Sequence, residues 1–181
     1  MSNVGRAGRS FKHITQRDLR RLAALASADR IAFFSAHRDW ARFYSDRLVA
    51  VALCQGAALH FLDGSTGVQD FDVYSFFARH PKRHWYAKRN KHVDFGNGKF
   101  GTSPDKPAFV GRRVDLMGRS LDVPLKCDPA AAIRGWLESG RPGESAAYLA
   151  KKAVILLWPP NRLGEVVWPP PLPAAKRRRR G

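Results

Sequence analysis

The run Leu48-Val-Ala-Val-Ala-Leu-Cys54 constrains the fold more than any other stretch of this chain. It is unbroken by a polar residue, so neither side of a strand built from it can face water. It is also far too short to span a bilayer, which takes about 20 apolar residues. A strand buried on both faces needs cover above and below its sheet, and the neighbouring sequence offers helices for that purpose. Thr15 is placed to cap a helix from Gln16 to about Ala26, with Leu19, Leu22, Ala23 and Leu25 opposite Arg17, Arg20 and Arg21. A second helical stretch, Asp29 to about Asp46, carries Ile31, Phe33, Phe34, Trp40, Phe43 and Tyr44 and is expected to break near Asp39.

Beyond the buried strand, Ala57 to Leu62 suits a short helix that stops at Asp63-Gly64. Strand patterns follow at Val68 to Phe77, Val110 to Leu121 and Val154 to Trp158, and Asn161 to Gly164 turns into Val166-Val-Trp168. Asp128-Pro129 starts a helix reaching about Ser139, with another from Glu144 to Lys152. The expected class is α/β (α+β), a mixed β-sheet flanked by helices. Its 181 residues suit one domain, residues 15–168. Residues 1–14, rich in Gly, Ser and Arg, are expected to be a mobile arm, and residues 169–181 a proline-rich basic tail.

Basic residues outnumber acidic ones by 32 to 15, giving a formal charge of +17. Such an excess points to a polyanionic partner, or to a basic surface kept for solubility. Cys54 and Cys127 stand far apart without a CxxC, so neither a disulfide framework nor a cysteine zinc site is supported. Zinc deaminase chemistry is excluded for the same reason. The basic start has no apolar stretch of the kind a signal peptide carries, and a cytoplasmic protein without membrane attachment is expected.

Against this cationic background, Asp70 and Asp72 sit two apart in Val68-Gln-Asp-Phe-Asp-Val73. Residues two apart on a strand share a face, so the carboxylates repel unless a cation or a shared proton intervenes. A hard divalent ion completed by water and substrate phosphates resolves that repulsion. Val114-Asp115-Leu116 offers a third carboxylate, suited to metal ligation or to accepting a proton from an attacking hydroxyl. Gly56, between the buried strand and the next helix, leaves backbone N–H groups and the positive helix end free for phosphates.

The ordered set Gln55-Gly56-Ala57-Ala58-Leu59, Asp70-Phe71-Asp72 and Val114-Asp115-Leu116 resembles the nucleotidyltransferase superfamily with the DNA polymerase beta-like fold. The resemblance is nearest to small bacterial abortive-infection and toxin–antitoxin types, and spans roughly Leu48 to Leu121. It implies two magnesium ions held by Asp70, Asp72 and Asp115, with the same aspartates catalytic. Gly56, Ala57 and Ala58 would bind a nucleoside triphosphate such as ATP, whose nucleoside monophosphate is transferred to a hydroxyl. Gln55 and Ala57 depart from the family, which usually places a second glycine or a small hydroxyl residue in this motif. Losing that hydroxyl removes one hydrogen bond to phosphate and leaves the backbone donors.

For the acceptor, Arg79 to His92 holds six Lys or Arg and three His without an acid. Arg79, Lys82, Arg83, Lys88, Arg89 and Lys91 would neutralise phosphates of RNA or single-stranded DNA, and Trp85 would stack on a base. The alternative is a solvated loop that Trp85 anchors to the body. Lys176 to Arg180 would add affinity. His60, one turn past Gly56, suits a core or helix-surface role better than phosphate contact. The acceptor is then an RNA, a tRNA among the options, or a protein. A rival reading is a non-catalytic nucleic-acid-binding protein on the same fold. A metal nuclease is disfavoured, since neither an Asp/Glu-x-Lys after Asp70 nor an HNH-like cluster is present.

Overall fold

The computed structural model describes residues 8–85 and 91–168. Within them the chain is α+β: a six-stranded mixed sheet with helices on both faces. The elements in chain order are α1 (Gln16–Ala36), α2 (Arg38–Tyr44), β1 (Leu48–Cys54), α3 (Gln55–Asp63), β2 (Phe71–Ala78), β3 (Lys91–Asp94), β4 (Arg113–Leu121), α4 (Pro129–Glu138), α5 (Ser145–Leu149), β5 (Ala153–Trp158) and β6 (Val166–Trp168). The strand order is β3-β4-β2-β1-β5-β6. Only β2 and β4 pair in parallel; every other neighbour is antiparallel.

As the apolar run requires, β1 is central and covered on both sides. Val51 and Leu53 join Leu19, Leu22, Phe71, Val73, Phe95, Val114 and Ile155 in one core beneath α1 and α3. Ala50, Ala52 and Cys54 face the opposite way, into a second core with Phe76, Ile133, Leu137 and Leu149 from β2, α4 and α5. An aromatic cluster of Phe33, Tyr44, Phe77 and Trp85, with Phe34, Trp40 and Phe43 packed on it, closes the end of the sheet where β2 finishes.

Several boundaries fall elsewhere than the sequence suggests. The first helix does not end near Ala26: Ala24, Ser27 and Ala28 carry no breaker, and α1 runs unbroken to Ala36, with the break to α2 at His37. Its start is as expected, a capping box in which Asp18 N–H bonds Thr15 Oγ1 and Thr15 N–H bonds Asp18 Oδ2. Strand β3 was not anticipated, because Lys-His-Val-Asp is a short edge strand whose only driving force is pairing with β4. Val110 to Arg112 belongs to a loop held by Asp94, whose carboxylate accepts from Val110 and Gly111 N–H. From Gly8 onward the expected mobile arm is docked: Ser10 pairs with Val68, Arg112 donates to Gly8 C=O, and Ile14 is buried. The expected tail, residues 169–181, lies outside the described residues.

Candidate functional site

Strand directions gather the chemistry at one end of the sheet. β1 ends where β2, β4 and β5 begin, because β1 is antiparallel to β2 and β5 while β4 is parallel to β2. In register, Cys54 lies opposite Asp72 and Asp72 opposite Asp115, so three adjacent strands bring these residues to one level. Side chains alternate along a strand, which puts Asp72, Asp115 and the Cys54 thiol on the face shared with α4 and α5. The two helices cover the far part of that face, and the carboxylate end stays open as a cleft of about 270 Å³. Its walls are Arg9, Gln55, Gly56, Ala57, Gln69, Asp70, Asp72, Tyr74, Tyr148 and Lys152.

The structure puts Asp70 and Asp72 in this cleft and Asp115 opposite Asp72 in register, and gives each carboxylate different partners. Arg113, two residues before Asp115 on β4, reaches Asp70 Oδ2 at 2.6 Å and Asp115 Oδ1 at 2.9 Å, and also pairs with Asp105. Asp115, 7% exposed, takes a second contact from His92 Nδ1 at 2.6 Å across the β3–β4 register. Asp72 makes no hydrogen bond or ion pair among the described residues. Burial, reinforced by Asp70 and then Asp115, pushes its carboxyl up to about 7, against the weaker pull of Lys152 and Arg113. Asp72 is therefore the one carboxylate here still without a counter-charge at contact distance.

At the end of β1, α3 begins with no side chain capping its N–H groups. Gln55 enters it with φ 63°, in the left-handed region that only glycine occupies cheaply, a strain of about 1–3 kcal/mol. Its side chain is 6% exposed, and Oε1 is buried without a hydrogen-bond partner among the described residues. Gly56 leaves open space: a Cβ there would meet only the ends of Arg9 and Lys152, each at 3.9 Å. Ala57 lines the cleft, whereas the Ala58 side chain is fully buried in the core beneath α3 and offers the cleft no side-chain contact. His60 belongs to the interior: Gly67 N–H donates to Nδ1 at 3.0 Å, and Nε2 lies 3.2 Å from Lys12 C=O. That fixes the Nε2–H tautomer and leaves neither nitrogen for a phosphate.

The expected nucleic-acid segment is rearranged. Trp85 is 6% exposed, stacked on Phe77 at 4.6 Å between ring centroids and edged by Tyr44, Trp40 and Phe33. The anchoring role is the one realised, and the indole presents no face on which a base can stack. Arg83 lies over Trp40 at 4.2 Å, Lys91 pairs with Asp29 at 3.2 Å, and Arg79 approaches Asp122 at 3.6 Å. Lys82 is exposed, and Lys88 and Arg89 lie outside the described residues.

Sequence reasoning missed Arg113, Lys152, His92, Tyr74 and Tyr148. Arg113 alone had a local signal, its i−2 spacing from Asp115 on a strand. Among the described residues no three His, Cys, Asp or Glu side chains are disposed as a metal cluster, and no helix is long and apolar enough to cross a membrane. The donor chemistry at Asp72 nonetheless suits a hard cation: a carboxylate lacking a counter-charge, with Asp70 in the same cleft and Asp115 opposite it in register. Comparison with protein-family models, curated proteins and solved structures finds no match.

Proposed function

We propose that the protein is a metal-dependent nucleotidyltransferase that moves a nucleoside monophosphate from a nucleoside triphosphate to a hydroxyl of an RNA or a protein. The observation that carries this reading is the register pairing of Asp72 with Asp115 on parallel strands, beside the uncapped start of α3. Magnesium would be held by Asp72 with Asp70 and Asp115, and bound there it would supply positive charge to the reacting phosphate oxygens. The backbone N–H groups around Gly56 and Ala57, with the Lys152 ammonium, bind and orient the triphosphate. Asp115, oriented by Arg113 and His92, accepts the proton of the attacking hydroxyl.

A second reading has its own support. Arg113 already neutralises Asp70 and Asp115, which favours a protein that binds nucleic acid on this fold without catalysis. Incubation with magnesium, each α-labelled nucleoside triphosphate and total cellular RNA or protein separates the two. Transfer of label that disappears in Asp72→Asn supports the enzyme. Absence of both transfer and magnesium-dependent triphosphate binding overturns it.

A further inference from the structure

Tyr74 and Tyr148 are two of the walls of the carboxylate cleft. The same two side chains also wall a second groove of about 520 Å³, bordered by Gly140, Pro142, Gly143, Glu144, Ser145, Ala147 and Lys151. That volume is in the range of small-molecule sites, about 300–1,000 Å³. Tyr148 stands at the junction with 60% of its surface exposed, and no aromatic ring packs on it among the described residues. Successive lysines then diverge: Lys152 lines the carboxylate cleft, while the Lys151 ammonium lies 5.9 Å from the Tyr148 ring centre on the groove side.

We propose that this groove is a nucleobase subsite, in which the base of a nucleoside triphosphate stacks on Tyr148 while its phosphates lie between Lys152 and the start of α3. The inference rests on the function proposed above and gives its donor a defined half: a flat ring rather than a phosphate chain alone. An exposed ring beside a phosphate-sized cleft, with the Lys151 ammonium over it and no aromatic neighbour among the described residues, suits a planar partner on its open side, because every base offers a π-face and water gains little from wetting the tyrosine. Ser145 and Glu144 are turned to the protein itself: Arg119 donates to Ser145 Oγ, and Glu144 Oε2 accepts from Arg141 N–H at 2.9 Å. The rim around the ring is thereby fixed before a ligand arrives. The buried oxygen of Gln55 and the bond-free carboxylate of Asp72 lie in the neighbouring cleft, which shares Tyr74 and Tyr148 with the groove.

The test is equilibrium binding of ATP and of inorganic tripolyphosphate, each with magnesium, to the wild type, Tyr148→Phe and Tyr148→Ala. Because Tyr148 is mostly exposed, both variants fold, which thermal melting checks. Stacking of one base on one ring spans roughly 5- to 150-fold in affinity. Tyr148→Ala is expected to weaken ATP by that factor and leave tripolyphosphate unchanged, and Tyr148→Phe to stay within about twofold of the wild type for both. Equal losses for ATP and tripolyphosphate in Tyr148→Ala, or no loss of ATP, overturn the subsite. If the wild type binds tripolyphosphate as tightly as ATP, the subsite falls while the phosphate cleft stands. If the wild type binds neither, the subsite and the proposed function fall together.

Discussion

Neutralising Asp72 should stabilise the protein, and do so only above a defined pH. Its carboxyl titrates near 7 in the folded state against 3.8 as the ordinary value, because burial and the neighbouring Asp70 and Asp115 disfavour the anion. A raised acid pKa means that the folded chain holds a proton the unfolded chain has released. Stability is untouched below about pH 4, where both states are protonated, falls between 4 and 7, and stays reduced above 7. About three pKa units correspond to a ceiling of about 4 kcal/mol. Asp72 borders the open cleft, so solvent screening brings the realised penalty to about 1–2 kcal/mol. Asp72→Asn removes it, raising Tm at pH 8 by about 2–8 °C for a chain of this size and by nothing at pH 4.

Asp115→Asn has the opposite sign. It strips a buried carboxylate from Arg113 and His92, at a cost of about 1–3 kcal/mol at neutral pH. Asp70→Asn falls between the two, losing one contact to Arg113 while relieving Asp72. Circular-dichroism melts of the wild type and the three variants from pH 4 to 8, without metal or nucleotide, decide the matter. A lower Tm for Asp72→Asn at pH 8, or a gain that does not vary with pH, would refute the claim that Asp72 is half-buried without a partner.

Trp85→Ala should cost about 3–5 kcal/mol, because the indole fills the aromatic cluster at the end of β2; melting should show the loss, and an unchanged Tm with weakened RNA binding would reinstate a stacking role. Gly56→Ala should leave the melt within about 0.5 kcal/mol, since a methyl there meets only two flexible cationic tips. Triphosphate binding by the same variant should weaken about tenfold, or about 1.4 kcal/mol, as the methyl takes phosphate space; unchanged affinity in a titration would show that phosphates do not sit against Gly56.

What could be read from the sequence divides along physical lines. The buried run of β1, the capping box at Thr15 and the Asp128-Pro129 start of α4 are local signals, and each lies where its residues place it. The grouping of Asp72 with Asp115 was also legible, because period-two alternation fixes a face and a sheet brings faces together, whereas Asp70, expected on the same strand, lies just before β2. The partners were not. Arg113 spans Asp70, Asp105 and Asp115, and His92 reaches Asp115 only through β3–β4 pairing; neither follows from spacing along the chain. Trp85 illustrates the limit of composition. A tryptophan among cations reads equally as a base-stacking residue or an anchor, and what decided it was the supply of rings from α1, α2 and β2.

The same partners determine what the cleft can accept. Among 32 basic residues and 15 acidic ones, three of the acids meet at a single strand end, and Arg113 answers two of them directly. Asp72 is left over, and it lies in the same cleft as Gln55, Gly56 and Lys152, where the N–H groups of α3 invite an anion. Under the proposed function, a phosphate entering beside an ionised Asp72 would meet repulsion opposed by Lys152 and Arg9, which line the same cleft, and neutralising Asp72 would strengthen the anion site. A proton does this below about pH 7, and a divalent cation, if the proposed function holds, would do it at any pH where the carboxylate is ionised. Under the proposed function, phosphate binding would be conditional on a cation through one residue, whose missing counter-charge is the feature that distinguishes it from the paired carboxylates on either side.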